Sequence, residues 1–226
     1  MSTGVEKYRV TIASLNIRAG ASSGKKIIGS LKKKAVIEKI EESEDGKWVK
    51  FIAEGVEGWV SKKYLHKIDH IPLPGPGEDF PWMPIAEKEK GTHEIPGPGA
   101  NPRIVDDYFS ATNLKPKDDA TAWCSAFVNW CLKQAGFKGS GKATAASFLG
   151  CGEETNEPVK GCIVVFKREG GNHVWFYTGE TEEKILLLGG NQENEQGVFE
   201  VSVKGYAKSD WLGYRLPTEK DKLPQV

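Results

Sequence analysis

Cysteine and long apolar runs are scarce in this sequence, and their scarcity excludes two classes of protein. The four cysteines are Cys124, Cys131, Cys151 and Cys162. They are too few and too irregularly spaced for a disulfide framework, and no pair has the two-residue spacing of a zinc knuckle. No segment approaches the roughly 20 apolar residues that a membrane-spanning helix needs. We therefore expect a protein without a disulfide scaffold and without a membrane span.

The chain also lacks an excess of charge of either sign. Lys and Arg total 31, as do Asp and Glu. This balance removes the general attraction to nucleic acid on which nonspecific binders depend, so we expect no nucleic-acid partner. Residues 25–39 are Lys-rich and residues 180–195 lean acidic. For both segments the pattern favours a solvated strand face.

A signal peptide is not visible in the sequence as it stands. The N-terminal residues MSTGVEKYRV contain no apolar core of the kind that such a leader has. If the protein acts outside the cytoplasm, we expect its delivery to depend on a leader that has been removed, on phage lysis or on a dedicated secretion machine.

Proline and glycine divide the chain into two parts. Residues 69–81 contain four prolines and two glycines without periodicity, which predicts a semi-rigid linker. Residues 7–67 read as short strands between turns, typical of a small all-β barrel. After the linker, helices precede strands joined by short turns, which predicts an α+β domain with an antiparallel sheet. We expect domains over 1–68 and 82–226.

Two helix starts are visible in the second part. Asn101 is a predicted N-cap with Pro102 at the first helical position. Thr121 is the predicted N-cap of the next helix, which Gly136 ends, so that Cys124 occupies the third helical position. The backbone amides there stabilise a thiolate, as a nucleophile requires. Cys124 also lies on the apolar stripe of the helix, and a buried, inert cysteine is the alternative.

His173 is the histidine most suited to act as a base, because it begins the apolar strand HVWFYTG. His66 and His70 flank the linker, and His93 lies in a polar loop. A structural histidine is the alternative. A third interpretation is a zinc site with His66, His70 and cysteines as ligands. It lacks the usual ligand spacing.

A third side chain should orient the imidazole of such a base. Asn191 follows the next strand and lies at the same end of the hairpin as His173. If the turn centres on residues 180–181, His173 faces Leu188, and Asn191 overshoots by three residues. A bulge at residues 189–190 could absorb part of this offset. Gln192 is the alternative.

Two motifs in the first part resemble the bacterial SH3 domains. They are Leu-Asn-Ile-Arg at residues 15–18 and Gly-Trp-Val at residues 58–60. The resemblance covers about the first 70 residues and implies a module that holds an enzyme near the cell wall. We interpret Trp59 as a core residue rather than a ligand platform.

Four sequence blocks of the second part resemble the NlpC/P60 and CHAP superfamily of peptidoglycan hydrolases. In order they are WCSAFVNW at 123–130, GCIVVF at 161–166, HVWFY at 173–177 and GGNQ at 189–192. The resemblance implies a papain-like α+β fold, with Cys124 as nucleophile, His173 as base and Asn191 as orienter. It implies no metal and no cofactor. Asn172 departs from the family pattern, which has glycine before the histidine.

The resemblance also implies a substrate. We expect cleavage of an amide in the peptide stem of peptidoglycan or at the glycan-peptide link, by a monomer that acts on the cell wall or in the periplasm. A non-catalytic peptidoglycan-binding protein is the alternative. The candidate substrate contacts are Trp82, Glu94, Trp123, Ser125 and Gln192. Asp119, near the start of the nucleophile helix, is expected to cap that helix and complement its dipole.

Overall fold

The structure is a computed structural model that describes residues 5–53, 55–68, 74, 78–155, 157–168, 170–209 and 211–224. It divides into two compact units, Met1–Asp69 and His70–Val226. Most of the predicted linker 69–81 lies outside the described residues, so the domain boundaries stay a prediction.

The first unit is a single antiparallel sheet of short strands. Among the described residues it has seven strands in the order β3-β2-β6-β5-β4-β1-β7. The strands are Lys7–Val10 (β1), Ser14–Arg18 (β2), Ile27–Lys32 (β3), Val36–Glu42 (β4), Trp48–Ala53 (β5), Val56–Ser61 (β6) and Leu65–Ile68 (β7). A short 3-10 helix, Lys62–Tyr64, joins β6 to β7.

The sheet bends around one small core. Alternate residues of five strands bury their side chains together, because successive residues of a strand point to opposite faces. These residues are Tyr8, Val10, Leu15, Ile17, Ile37, Val49, Phe51 and Val60. Strands that turn one face toward a shared centre make the small all-β, SH3-like barrel that the sequence predicts.

Two details of this unit differ from the sequence predictions. A single strand is expected over GWVSKKYL, whereas β6 ends at Ser61 and the 3-10 helix intervenes. The interpretation of Trp59 as core is also wrong. Its neighbours Gly58 and Val60 are buried, so strand alternation turns the half-buried Trp59 to the outer face, where it lies opposite Lys50.

The second unit is an antiparallel sheet with helices packed against it. In its described part the sheet has six strands in the order β12-β11-β10-β9-β13-β8. They are Glu153–Thr155 (β8), Ile163–Arg168 (β9), Gly171–Glu180 (β10), Lys184–Glu193 (β11), Phe199–Ala207 (β12) and Trp211–Leu216 (β13). The α-helices are Trp82–Lys88 (α1) and Cys124–Gln134 (α2), with a π-helix at Arg103–Tyr108 and 3-10 helices at Phe109–Ala111, Ala145–Gly150 and Glu219–Asp221. The α+β class is as predicted.

Helix α2 is the central helix of this unit and packs against β10 and β11. The ring of Phe127 meets the ring of Phe176 on β10 at 6.4 Å between centroids. The helix ends where the sequence predicts: Gly136 has a φ of 78°, and the Phe137 N–H donates to the Leu132 carbonyl at 2.8 Å. This is the hydrogen-bond pattern of a Schellman motif. No described helix has the length and apolar character of a membrane span.

The segment before α2 is only partly as predicted. The side chain of Asn101 accepts a hydrogen bond from the Arg103 N–H at 2.9 Å, which confirms it as a helix cap. The helix that follows is a π-helix rather than an α-helix. Helix α1 and strand β8 have no counterpart in the prediction, because seven and three residues are too few to show a periodicity.

An ion pair joins α1 to the π-helix. Glu89 accepts two hydrogen bonds from the Arg103 guanidinium, at 2.9 and 2.6 Å, and one from the Tyr108 hydroxyl at 2.6 Å. Burial alone would raise the pKa of Glu89, but these hydrogen bonds outweigh it and hold the pKa below its usual value. Arg103 also lies 4.4 Å from the ring of Trp130 on α2, so the pair fastens α1, the π-helix and α2 together.

Glu89→Gln keeps the shape of the side chain and removes its charge. We expect the free energy of unfolding to fall by about 2 kcal/mol near pH 7, the value of hydrogen bonds to a charged group. Since folding lowers this pKa, the stabilisation is complete above the usual carboxyl value and disappears as the pH falls through the folded value. The difference between the two proteins should therefore shrink below about pH 4.

Urea unfolding at several pH values measures this effect, with Glu87→Gln as the matched control on the same helix. Glu87 contacts only Lys90 among the described ion pairs, and we expect a change below about 0.5 kcal/mol. Equal losses in both variants, or a Glu89→Gln loss that persists at low pH, would contradict the assignment.

Candidate active site

Cys124 is the first residue of α2. The helix begins one residue after Trp123, whose φ of −117° and ψ of 10° are not helical, and the Phe127 N–H donates to the Trp123 carbonyl at 2.9 Å. The prediction of Thr121 as N-cap is therefore wrong, and Cys124 is the first helical residue, not the third. The Thr121 hydroxyl bonds Asp118 instead. Cys124 still lies among the unpaired amides at the positive end of the helix.

Trp123 is held on three sides, and this fixes the position of the cysteine that follows it. Its backbone N–H donates to Asn191 Oδ1 at 2.8 Å, and its indole N–H donates to Glu94 Oε1 at 2.8 Å. The indole ring lies against Gly190, where a Cβ would come within 2.1 Å of Cζ3. Only glycine at 190 leaves room for this ring. The contact therefore fixes the start of α2 relative to β11.

The β10–β11 hairpin brings His173 and Asn191 to the same level. Phe176 lies opposite Leu188, and the Thr181 N–H donates to the Lys184 carbonyl at 2.8 Å across the turn. The turn is therefore two residues later than expected, and a bulge between Tyr177 and Gly179 shifts the register back by one. The ladder between the two strands ends at Phe176 and Leu188, and His173 lies three residues before Phe176 as Asn191 lies three residues after Leu188. By this count along the two strands, the predicted offset of three residues disappears.

Asn191 has an unusual backbone. Its φ of 61° is in the left-handed region, which asparagine tolerates better than most residues. The pairing of β11 with β12 is irregular between Gly189 and Gln192, so a bulge does occur at this point, although on the other side of the strand. Bulges and strained residues of this kind re-aim side chains at functional sites.

His173 is buried, with 2% of its surface exposed, and its ring lies on Trp175. The two ring centroids are 4.1 Å apart at an angle of 39°. Trp175 in turn packs against the tilted ring of Tyr206 and lies against Gly189, where a Cβ would come within 2.3 Å of its ring. Each of the two adjacent glycines therefore seats one tryptophan, one beside the cysteine and one beside the histidine.

Gln192 is fully engaged in the sheet. Its Nε2 donates to the carbonyls of Gly189, at 3.0 Å, and Ser202, and its Oε1 accepts from the Tyr206 hydroxyl at 2.8 Å. The side chain is 2% exposed and its amide is occupied by these three hydrogen bonds, which disfavours the predicted contact with substrate. It clamps the irregular segment of β11 to β12.

Three other predicted substrate contacts are buried. Trp82 is 1% exposed and donates from its indole to the Gly161 carbonyl at 2.8 Å. Trp123 is 0% exposed in the place described above, and Ser125 is 0% exposed with its hydroxyl bonded to the Lys142 carbonyl at 2.7 Å. The surroundings of these side chains disfavour the predicted contact with substrate, because each side chain packs in the core or bonds a loop.

Glu94 is the predicted contact that lies in a cleft. A cleft of about 570 Å³ is lined by Glu94 and Asp118 together with the loop 95–99 and the turn 196–198. Burial raises the pKa of Glu94, the hydrogen bond from Trp123 opposes this, and Asp119 and Asp118 raise it further.

Asp119 anchors the loop that forms one wall of this cleft. Its Oδ2 accepts from the backbone N–H of Ile95 at 2.9 Å and of Asn101 at 2.7 Å. The expectation that it caps α2 is therefore wrong. The run IPGPGANP contains few donors and no regular structure, and the need to satisfy those donors is a signal that would have suggested such an anchor.

A metal site is not evident in the part of the chain that the structure describes. No group of three or more His, Cys, Asp or Glu side chains there is arranged to hold an ion. Of the histidines in the zinc interpretation, His66 lies on β7, and His70 lies outside the described residues.

Two family models match this chain in separate segments. The bacterial SH3 domain matches residues 13–66, and the CHAP domain matches residues 116–191, which include Cys124, His173 and Asn191. The chain therefore contains one segment that is similar to the bacterial SH3 domain and one that is similar to the CHAP domain. None of the curated proteins matches it.

Solved structures of the NlpC/P60 family are similar to this chain at low identity. NlpC2 from Trichomonas vaginalis is 12% identical over 94% of this chain and 72% of that chain, with a TM-score of 0.39. NlpC1 from the same organism is 12% identical over 95% and 69%, with a TM-score of 0.33. An NlpC/P60 family protein from Bacillus cereus is 15% identical over 95% and 65%, with a TM-score of 0.38. At these values we infer nothing about activity from them.

The four cysteines, all in the second unit, differ in their surroundings. Burial raises the pKa of Cys131 well above its usual value and raises the pKa of both Cys151 and Cys162 to about 12. These three thiols stay protonated near neutral pH and are poor nucleophiles. Cys124 differs from them in lying at the start of a helix.

Iodoacetamide at neutral pH should therefore label Cys124 much faster than the other three cysteines. Peptide mass spectrometry of the folded chain measures the four rates, and Cys124→Ser should leave only slow labelling. Unfolding in urea should make the remaining cysteines react alike. Labelling of Cys131, Cys151 or Cys162 at the rate of Cys124 in the folded chain would contradict the assignment.

Proposed function

We propose that this chain is a cysteine hydrolase that cleaves an amide bond of peptidoglycan. The observation that carries the proposal is the hydrogen bond from the Trp123 N–H to Asn191 Oδ1. It ties the residue before Cys124 to Asn191, which lies three residues after Leu188, as His173 lies three residues before the partner of Leu188, Phe176. The matches to the CHAP and bacterial SH3 models support peptidoglycan as the substrate.

The proposed reaction is acyl transfer to water. His173 takes the proton of the Cys124 thiol, and the thiolate attacks the carbonyl carbon of the amide. The oxyanion of the tetrahedral intermediate accepts hydrogen bonds from amides at the start of α2, including that of Cys124. His173 returns the proton to the leaving amine, and water then hydrolyses the thioester with His173 again as base.

Asn191 has two positioning roles in this proposal. Its side chain orients the His173 imidazole from the neighbouring strand, and the same Oδ1 holds the Trp123 N–H. A carbonyl oxygen has two lone pairs, so one atom can serve both partners. Gln192 is the weaker candidate, because its amide already bonds Gly189, Ser202 and Tyr206.

Glu94 is the remaining candidate for substrate binding. It lines the acidic cleft and is bonded to the indole of Trp123, beside the nucleophile. We propose that a monomer acts on the cell wall or in the periplasm and that the SH3 unit holds it near the wall. The bond that is cut lies either within the peptide stem or between glycan and peptide.

A binding protein without activity is the second candidate. The observation in its favour is that only 5% of the Cys124 surface is exposed, which restricts the approach of a carbonyl carbon. In that case both units would hold peptidoglycan, and Cys124 would be a core residue.

Digestion of purified peptidoglycan distinguishes the two candidates. We expect the unaltered chain to release fragments whose masses identify the cleaved amide, whereas Cys124→Ala releases none. His173→Ala should lose about as much turnover as Cys124→Ala, because the two groups act as a unit. Mass spectrometry of the soluble products is the measurement, with circular dichroism to check folding. If the folded, unaltered chain binds walls and releases no fragment, the binding protein is correct.

Replacements at residue 191 test the third role. Asn191→Asp keeps an acceptor oxygen and a residue that tolerates a positive φ, so most of the turnover should remain. Asn191→Ala loses the acceptor and strains the backbone, so its turnover should fall. The loss should be smaller than that of His173→Ala by about tenfold or more.

Gln192→Ala is the matched control for this comparison. It should lower the melting temperature by loosening the contact between β11 and β12 while leaving the turnover of the folded protein close to normal. Turnover of a soluble muropeptide is the measurement. If Gln192→Ala loses turnover and Asn191→Ala does not, the orienting role belongs to Gln192.

A further inference from the structure

The balanced net charge of the chain conceals an uneven distribution. Residues 1–69 contain fourteen Lys and Arg against nine Asp and Glu, a net charge of +5, and residues 70–226 contain seventeen against twenty-two, a net charge of −5. Within the first unit, residues 7–37 hold eight cationic residues and no acidic one. The positive charge of this unit is therefore concentrated in its first three strands.

The cations of the first unit fall into two groups. In the half of the sheet built from β4 to β7, lysines are neutralised by acids: Lys39 and Lys67 both pair with Glu6, and Lys50 pairs with Glu57 at 2.6 Å. These pairs account for much of the positive charge there. They leave the β2–β3 hairpin as the part with uncompensated charge.

Four lysines of this hairpin form what we call the lysine edge: Lys25, Lys26, Lys32 and Lys33. All four are exposed, and none has an acidic group within ion-pair distance among the described residues. Strand β3 lies at one end of the sheet order, where β2 is its only described neighbour. The lysine edge therefore lies along an open border of the sheet.

The lysine edge has a length that suits an extended ligand. Lys25 and Lys26 precede β3, Lys32 ends it, and Lys33 follows. At about 3.3 Å per residue, the two pairs of lysines are about 20 Å apart. A single small anion reaches only one pair. A chain with repeated negative charges reaches both and releases counterions from both.

The chemistry of the edge favours phosphates over nucleobases. No Phe, Tyr or Trp occurs between residues 19 and 47, so the hairpin itself offers no ring on which bases could stack. Lysine acts as a point charge toward phosphate and does not select its neighbours. A phosphodiester chain without aromatic units matches these properties.

We propose that the lysine edge docks a linear polyol-phosphate polymer attached to the cell wall. The choice of a wall polymer rests on the proposed function, whereas the docking itself uses no residue of the candidate active site. Lysines on an edge strand also discourage pairing between sheets, a role that needs no ligand. The sequence analysis likewise interprets this segment as a solvated strand face without a ligand. Binding experiments distinguish such a face from a docking site.

The full chain carrying Cys124→Ala is the protein to test, because it leaves walls undigested whether or not the proposed function is correct. We expect it to bind walls that carry poly(glycerol phosphate), and to bind at least about tenfold more weakly after hydrogen fluoride has removed that polymer. Soluble poly(glycerol phosphate) should compete, and added salt should weaken the binding.

Replacing the four lysines of the edge with glutamine should weaken binding to intact walls by about tenfold or more and leave binding to stripped walls unchanged. Replacing them with arginine keeps the charge and should preserve binding. The matched control is K115Q/K117Q/K138Q/K142Q in the second unit, which removes the same charge from exposed lysines and should bind like the parent.

Four results would overturn the proposal: unchanged binding by the glutamine variant, an equal loss in the control, no effect of stripping, or tighter binding to single-stranded DNA than to the polymer at equal salt. If the variant with four glutamines aggregates, the double variants K25Q/K26Q and K32Q/K33Q replace it. Each should weaken binding at least about threefold. Unchanged binding by both double variants would equally refute the lysine edge. Digestion of soluble muropeptides by chains with an intact Cys124 reports separately on the proposed function.

Discussion

The hydrogen bond between the Trp123 N–H and Asn191 Oδ1 is the contact on which the candidate site depends. It joins the start of α2 to the end of β11, two elements 68 residues apart in the chain. Gly190 and Gly189 make it possible, because a side chain at either position would displace a tryptophan. The Gln192 clamp and the Asp119 anchor then hold β11 and the loop 95–101 in place around it.

The candidate catalytic residues and the cleft are built from different parts of the second unit. Helix α2 and strand β10 carry Cys124 and His173 on regular elements with packed side chains behind them, and Asn191 lies in the irregular segment of β11. The cleft that Glu94 and Asp118 line is built from irregular loops. Such a division suits a hydrolase in which the chemistry is constant and the loops select the substrate.

Most of the strands, the α+β class and the C-terminal end of α2 were predictable, because alternation, apolar periodicity and Gly136 are local signals. The hairpin register was not, since a turn position that is wrong by two residues moves every partner across the strand. Burial was also poorly predicted: Trp82, Trp123 and Ser125 read as contacts near the nucleophile, but which side of an aromatic residue faces solvent depends on distant partners such as Gly161 and Gly190. The prediction for Trp59 was wrong in the opposite direction: it was expected in the core and lies on the outer face.

The outward position of Trp59 gives the two units different optical properties. Trp48 and Trp59 of the first unit are partly exposed, whereas Trp82, Trp123 and Trp175 of the second are buried. A water-soluble quencher such as acrylamide should reach the first pair and spare the others. The emission that survives quenching then comes mainly from the second unit, so the chain carries intrinsic probes that distinguish a ligand on the barrel from a change around the candidate nucleophile.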